Sequence, residues 1–370
     1  MYSTILPYLY LFVHAHPQVM GNGMSPRERV LSAISMHETD RKPAAIFTQS
    51  ATVSQMERCG VYWPEANYDP SQMAVLASQA RFLGFDSVRV PFCLTIEAER
   101  LGSTVDKGSG GSTPVVRGQR YLFAPGTDEA PDMDLMGPDE FISGGRPKTV
   151  IDAVALLSRD LGSEYPVIAG MTGPMTIVAG LISAESLLIA IMMEEPAVEE
   201  YLKKITVISG EYVSALSDAG ADVIQMSEGL ASPDMLMPGE FDRFSGRFVR
   251  DIFLAGGPDT YTSLHICGDT TAVLRKMSST GANCLSIEEK VDPFEARRLV
   301  GNNSALVGNV GAVFPLMSGT AAECSEAVKL SMDAGFDVIA PGCGLPAKTP
   351  DENLRAMSDT VRTYRSRSSR

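Results

Sequence analysis

The chain predicts a single (β/α)8 TIM barrel with a hairpin insertion after the second strand, and three observations carry that prediction. First, eight short β-rich runs alternate with helix-like stretches along most of the 370 residues. Strands alternating with helices pair in parallel as βαβ units, and about eight such units close a barrel. Second, four helix-to-strand joints repeat one phrase: "LGFDSV" (83–88), "AGADVI" (219–224), "TGANCL" (280–285) and "AGFDVI" (334–339). In each, glycine stands where a helix ends and can take the left-handed C-cap before the next strand. Third, the ends of the expected strands gather polar and metal-capable side chains, and the C-terminal rim is where barrels carry function.

In order, the expected strands are "AAIFTQS" (44–50), "DSVRVPF" (86–92), "PVIAGMT" (166–172), "ADVIQMS" (221–227), "TSLHIC" (262–267), "ANCLSIE" (282–288), "ALVGNV" (305–310) and "FDVIAPG" (336–342). Helical periodicity marks 70–83, 149–161, 197–219, 270–279, 320–334 and 350–364 between them. At "GMSPRERV" a helix starts with Ser25 as N-cap, Pro26 in the first turn and Glu28 completing a capping box. The stretch 102–147 interrupts the alternation. There "KGSGGSTPVVRGQRYLF" reads as a hairpin followed by a loop, so a flap over one barrel edge is expected.

Residues 1–23 are expected to be a mobile extension or a mis-assigned start, with Met24 as the alternative first residue and 24–370 as the barrel domain. Their run "ILPYLYLFV" (5–13) has the look of a signal-peptide core. No Lys or Arg precedes Arg27, however, and the run is too short to span a bilayer. A formal net charge of -14 argues against nucleic acid as a partner, because phosphate backbones are held by Lys and Arg. Six cysteines spread over the whole chain do not form a disulfide scaffold, which points to a reducing cytoplasm, and with no transmembrane segment visible no membrane association is expected.

The chemistry centres on "LHICGD" (264–269). In an extended strand the side-chain period is two, so His265 and Cys267 share one face while Leu264 and Ile266 share the other. Cys343, in "APGCGLP", ends the eighth expected strand and converges on them across the barrel mouth. One imidazole and two thiolates suit zinc, and three protein ligands with a fourth place open mark a catalytic site. Zinc with two thiolates is formally neutral, a weak activator of water but a good holder of an incoming thiol, which loses its proton there. Such a centre alkylates sulfur.

From about 26 to 363 the chain resembles the uroporphyrinogen decarboxylase superfamily, and within it the methylcobamide:coenzyme M methyltransferases. The phrases that carry the resemblance are "QMERCGVYWPEAN" (55–67), "VRVPFCLTIEAERLG" (88–102), "LHICGDTT" (264–271), "SIEEKVD" (286–292), "LVGNVG" (306–311) and "PGCGLPAKTPDENL" (341–354). The resemblance implies a cytoplasmic barrel enzyme that moves a methyl group from a methylated corrinoid protein, carrying methylcobalamin, to the thiol of coenzyme M. It also implies the zinc-ligand role for His265, Cys267 and Cys343. Where related sequences have Asp-Pro after the fourth strand, this chain has Glu228 and Gly229.

The remaining rim residues each admit two readings. Glu228 can fill the fourth zinc position or accept the thiol proton, or it is a rim carboxylate bonded to loop amides. Arg89 can meet a sulfonate with its planar fork, or pair with Glu228, Glu97 or Glu288. Gln49 orients the acceptor or caps a loop. Asn309 is expected among the substrate-binding residues, although the "GNVG" around it indicates by itself only a close backbone approach. Glu288 or Glu289 is expected to hold the outer nitrogen of His265, since metal-bound imidazoles donate it to a carboxylate or carbonyl.

Three further functions compete with this one. Uroporphyrinogen decarboxylase needs an arginine-rich cleft for its polycarboxylate substrate, whereas "KPAAIFTQSATVSQ" (42–55) offers one Lys and no Arg. A methyltransferase with another acceptor, such as tetrahydrofolate or a different thiol, is the second. The third is a non-catalytic zinc-binding barrel that docks a corrinoid or partner protein.

Overall fold

The computed structural model describes residues 23–127 and 130–365. The expected extension 1–23 therefore lies outside the described residues except for Gly23. Seven strands form one curled, wholly parallel sheet in the order β1 (Val88–Val90), β4 (Val167–Thr172), β5 (Val223–Ser227), β6 (Tyr261–His265), β7 (Cys284–Ile287), β8 (Ala305–Val310) and β9 (Val338–Pro341). The intervening β2 (Thr104–Asp106) and β3 (Val115–Gly118) pair antiparallel with each other, apart from this sheet. Nearly every residue of the seven strands is buried, as expected of parallel strands covered on both faces.

Two apolar layers result. One large core packs the outer face of the sheet against the helices. A smaller cluster, with Ile168, Val223, Cys284, Val307 and Val338 from five strands, packs against Val30, Ala33 and Ile34 of the first helix. That helix, Pro26–Ile34, starts with the expected capping box between Ser25 and Glu28.

The expected first strand, 44–50, is corrected. It contributes one parallel bridge, Ala44 to Ile339. Ala45 N–H donates to Ile339 O at 2.9 Å, and Ala44 O accepts from Asp86 N–H at 2.6 Å, so the strip is bonded on both sides over these residues. Beyond them side chains replace the backbone partners. Ser87 Oγ accepts from Ile46 N–H at 2.8 Å, and Arg89 Nε donates to Phe47 O at 3.2 Å. A ladder cannot extend where the neighbouring strand's side chains have taken its bonding groups. Asp86 anchors the same strip from below. Its carboxylate accepts from Arg29 Nη1 at 3.0 Å, Arg41 Nη2 at 2.8 Å and Ala44 N–H at 3.0 Å.

The long helices match the periodicity to within a few residues: Gly145–Leu161, Pro196–Asp218, Ala321–Asp333 and Asp351–Thr363. The expected 70–83 helix divides into Pro70–Ala77 and a 3-10 turn, Ser78–Leu83. Expected 270–279 shortens to Leu274–Ser278. Several shorter helices fall outside the expected stretches, and two of them, Pro174–Ile182 and Ala184–Met192, are apolar around most of their circumference and give no clear 3.6-residue period.

Gly170 in β4 shows how tightly the interior is filled. A Cβ there would lie within 2.0 Å of Arg89 Nη2. Gly170→Ala is expected to lower unfolding stability by about 1–3 kcal/mol through overpacking. A urea transition with an unmoved midpoint would show that Arg89 can yield.

Candidate functional site

Parallel register assembles the site. In β5, β6 and β7, Ser227, His265 and Ser286 lie directly opposite one another. His265 is buried, with Nε2 3.3 Å from Cys267 Sγ, and Cys267 Sγ is 3.7 Å from Cys343 Sγ. The three ligand atoms all lie within 4.8 Å of one another, a group that could hold a metal ion. Both cysteines are half-buried, so the cluster has one buried side and one facing the opening.

The two thiols share a proton unequally. Cys343 is pulled down by a hydrogen bond from Cys267 and by His265. Cys267 is pushed up, first by the same bond to Cys343 and then by burial. A first thiolate forms readily, and a second is resisted until a positive charge arrives.

The outer nitrogen of His265 is held differently from expectation. Nδ1 lies 3.2 Å from Ser286 O and 3.1 Å from Ser286 Oγ, because register puts Ser286, not a glutamate, beside the ring. An Nδ1–H given to that carbonyl leaves the Nε2 lone pair turned to the thiols. Glu288 instead accepts from Gly268 N–H, fixing the backbone just after Cys267, and lies 3.7 Å from Lys290 Nζ. Glu289 packs over Gly342, where a Cβ would meet its Oε2 at 2.7 Å, and its carboxyl is pushed up by burial and then by Glu288 and Cys343.

Glu228 is fully buried and lies outside the three-ligand group. Its oxygens accept from Met175 N–H and Thr176 N–H, each at 2.9 Å, and from Thr176 Oγ1 at 2.5 Å. It thus caps the helix Pro174–Ile182, under a Gly173 that has no room for a Cβ. Burial nevertheless pushes its pKa up to about 7, against the lowering by these hydrogen bonds.

Arg89 is fully buried, and burial lowers its pKa to about 9. Its donors meet Phe47 O, Pro91 O and Gln225 Oε1, the last at 3.1 Å, rather than a glutamate. Gln49 lies near the cluster: Nε2 is 3.4 Å from Ser227 Oγ, and Oε1 is 3.1 Å from where a Cβ on Gly344 would stand. Asn309 is turned into the scaffold, with Nδ2 on Val291 O at 3.1 Å and Oδ1 accepting from Ser331 Oγ at 2.9 Å.

Sequence reasoning passed over Ser286, Ser227, Gln225 and Thr176. The first three alternate with apolar residues on their strands, "CLSI" and "VIQMS", and that alternation was the available signal. Thr48 was missed as well, and its hydroxyl donates to Cys343 O at 2.8 Å.

The folded state favours protonated Glu228, since its pKa near 7 exceeds the ordinary 4.5. The stability from this group is complete below pH 4.5 and is lost as pH rises through 7. Wild type should therefore lose on the order of 3 kcal/mol relative to Glu228→Gln between pH 4 and pH 8. Parallel urea curves across that range would show that the carboxylate is fully compensated.

A family model described as uroporphyrinogen decarboxylase (URO-D) matches residues 25–364. The chain is 32% identical over 336 residues to a methylcobamide:CoM methyltransferase, MtaA, of Methanosarcina barkeri, covering 90% of this chain and 96% of that one. It is 33% identical to the methylcobamide:CoM methyltransferase MtbA of Methanosarcina acetivorans, covering 92% and 98% of the two chains. Among solved structures, a methyltransferase from Methanosarcina mazei superposes with a TM-score of 0.85 at 31% identity, covering 92% of this chain and 98% of that one. With near-complete coverage in sequence and in structure, this is an enzyme of the methyltransferase type, and the chain belongs to the uroporphyrinogen decarboxylase (URO-D) family.

Proposed function

We propose that this enzyme transfers a methyl group from a methylated corrinoid protein to the thiol of coenzyme M, with zinc held by His265, Cys267 and Cys343. The observation that carries the reading is the spacing of the three ligand atoms. Tetrahedral zinc with bonds of about 2.3 Å to sulfur and 2.0–2.1 Å to nitrogen sets edges of about 3.8 Å between sulfurs and about 3.5 Å between nitrogen and sulfur. Two of the three edges here are 3.7 Å and 3.3 Å, and all three ligand atoms lie within 4.8 Å of one another, so the two edges through Cys267 match tetrahedral zinc. The coenzyme M activity named for the two Methanosarcina relatives supports the same acceptor.

Zinc, when bound, lowers the pKa of a coordinated thiol so that it gives up its proton near neutral pH. The chain's own residues prepare that event. Ser286 fixes the His265 ring, Glu288 fixes the peptide after Cys267, and Thr48 fixes the carbonyl of Cys343. The acceptor sulfur then attacks the methyl carbon in line with the carbon–cobalt bond. Both electrons of that bond leave on cobalt, which goes from Co(III) to Co(I), so no methylated protein forms.

Beside Gly344, the residue after Cys343, lies a cavity of about 370 Å³ lined by Gln49, Gly344 and Thr113–Val116 among others. We read the β2–β3 pair as the flap of an inserted hairpin, and the seven-stranded sheet with its 43–45 strip as the wall of one barrel domain spanning 24–370. No single helix among the described residues is long and apolar enough to cross a membrane, and a cytoplasmic site of action is part of this proposal.

Purified protein should contain about one zinc per chain, and Cys267→Ala and Cys343→Ala should each lose most of it. Given free methylcobalamin and coenzyme M, the zinc-loaded enzyme should convert the methylcobalamin spectrum to that of Co(I). Full zinc occupancy in both cysteine variants would reject the metal site. Full occupancy in wild type with an unchanging cobalamin spectrum would reject the reaction.

A further inference from the structure

Arg89 reaches the mouth of the sheet through other side chains. A guanidinium only donates, so the amide of Gln225 must turn its oxygen toward Arg89, at 3.1 Å. That leaves its NH2 pointing away, and it donates to Ser227 Oγ at 3.0 Å. Gln49 Nε2 also approaches Ser227 Oγ, at 3.4 Å. With both lone pairs of Ser227 engaged, its proton remains to be donated, and no acceptor among the described residues takes it. If the Gln49 amide is turned over, Ser227 donates to its oxygen and the Gln49 NH2 becomes the open group. In either arrangement a chain that begins at a buried cation ends in a hydrogen-bond donor.

That donor lies beside the metal ligands. Ser227 is directly across from His265 in register, and Gln49 touches Gly344, the residue after Cys343, at the edge of the 370 Å³ cavity. Ser227 is 2% exposed, so a group bonded to it is shielded from water, where a charge-assisted bond is strongest.

We infer that the chain Arg89–Gln225–Ser227–Gln49 binds the anionic tail of the methyl acceptor and selects acceptors that carry one. The inference rests on the reading of the cluster as a thiol-alkylating centre. Arg89 acts as a positioning residue: it fixes the direction of every bond outward from it and projects its charge along them.

Calorimetry on the zinc-loaded full-length enzyme tests this with two thiols of the same two-carbon stem, coenzyme M and uncharged 2-mercaptoethanol. Ser227→Ala should lower the preference for coenzyme M about tenfold, the worth of one charge-assisted hydrogen bond. Ser227→Thr keeps the hydroxyl and should restore the preference. Gln225→Glu reverses the chain, since its carboxylate would pair with Arg89 and draw the Ser227 proton inward, and it should lower the preference further than Ser227→Ala. Zinc content should match wild type in all three variants. Equal losses for both thiols, or an unchanged preference in Gln225→Glu, would overturn the inference while leaving the metal reading intact. Wild type that binds neither thiol would remove that reading, and the inference with it.

Discussion

Register in the parallel sheet is the constraint on which the site depends. A one-residue slip between β6 and β7 would turn His265 away from Ser286, because strand side chains alternate faces. The same slip against β5 would separate His265 from Ser227. The small inner cluster sets this register. Ile168, Val223, Cys284, Val307 and Val338 occupy the interior below the polar rows, and the first helix covers them. Apolar burial at one end of the sheet thereby places imidazole and hydroxyls at the other.

Two charged side chains in this interior are stabilised by dipoles rather than by opposite charges. Arg89 is surrounded by carbonyl oxygens, and Glu228 by N–H groups at a helix start and a threonine hydroxyl. Neutral partners compensate less than counter-ions do, so burial still moves both pKa values toward the neutral form. In return neither group is neutralised by the other. A direct Arg89–Glu228 ion pair would have removed both charges from the electrostatics of the mouth.

The parts of this molecule that could be read from sequence are those fixed by local periodicity. His265 was legible as a strand residue, although the strand expected over 262–267 ends at it and leaves Cys267 just past the strand end, and Cys343 was legible because it follows an apolar run ending in glycine. The cage around Glu228 was not, because it depends on Pro174–Ile182, whose apolar residues occupy too much of the helix surface to leave a stripe. Ser286 was passed over for its carboxylate neighbours, since only the pairing of β6 with β7 shows which of 286, 288 and 289 stands beside the ring. The run 44–50 has strand composition throughout, but its bonding partners past residue 45 are the side chains of Ser87 and Arg89. Composition of one segment cannot reveal what its neighbour's side chains will occupy.

The strip at 43–45 also has a consequence for the order of events during synthesis. Its bridge to Ile339 joins parts of the chain as distant as Thr48 and Cys343, which are 295 residues apart. On a ribosome, residues 43–45 emerge long before β9 exists, and an unpaired strip of this kind is an invitation to wrong partners. Asp86 emerges soon after them, only 45 residues beyond Arg41, and its bonds to Arg29, Arg41 and the amide of Ala44 can form at once. An ion-paired carboxylate this close in sequence can hold the strip beside β1 before the last strand arrives to close the seam, and it keeps the same bonds in the folded chain.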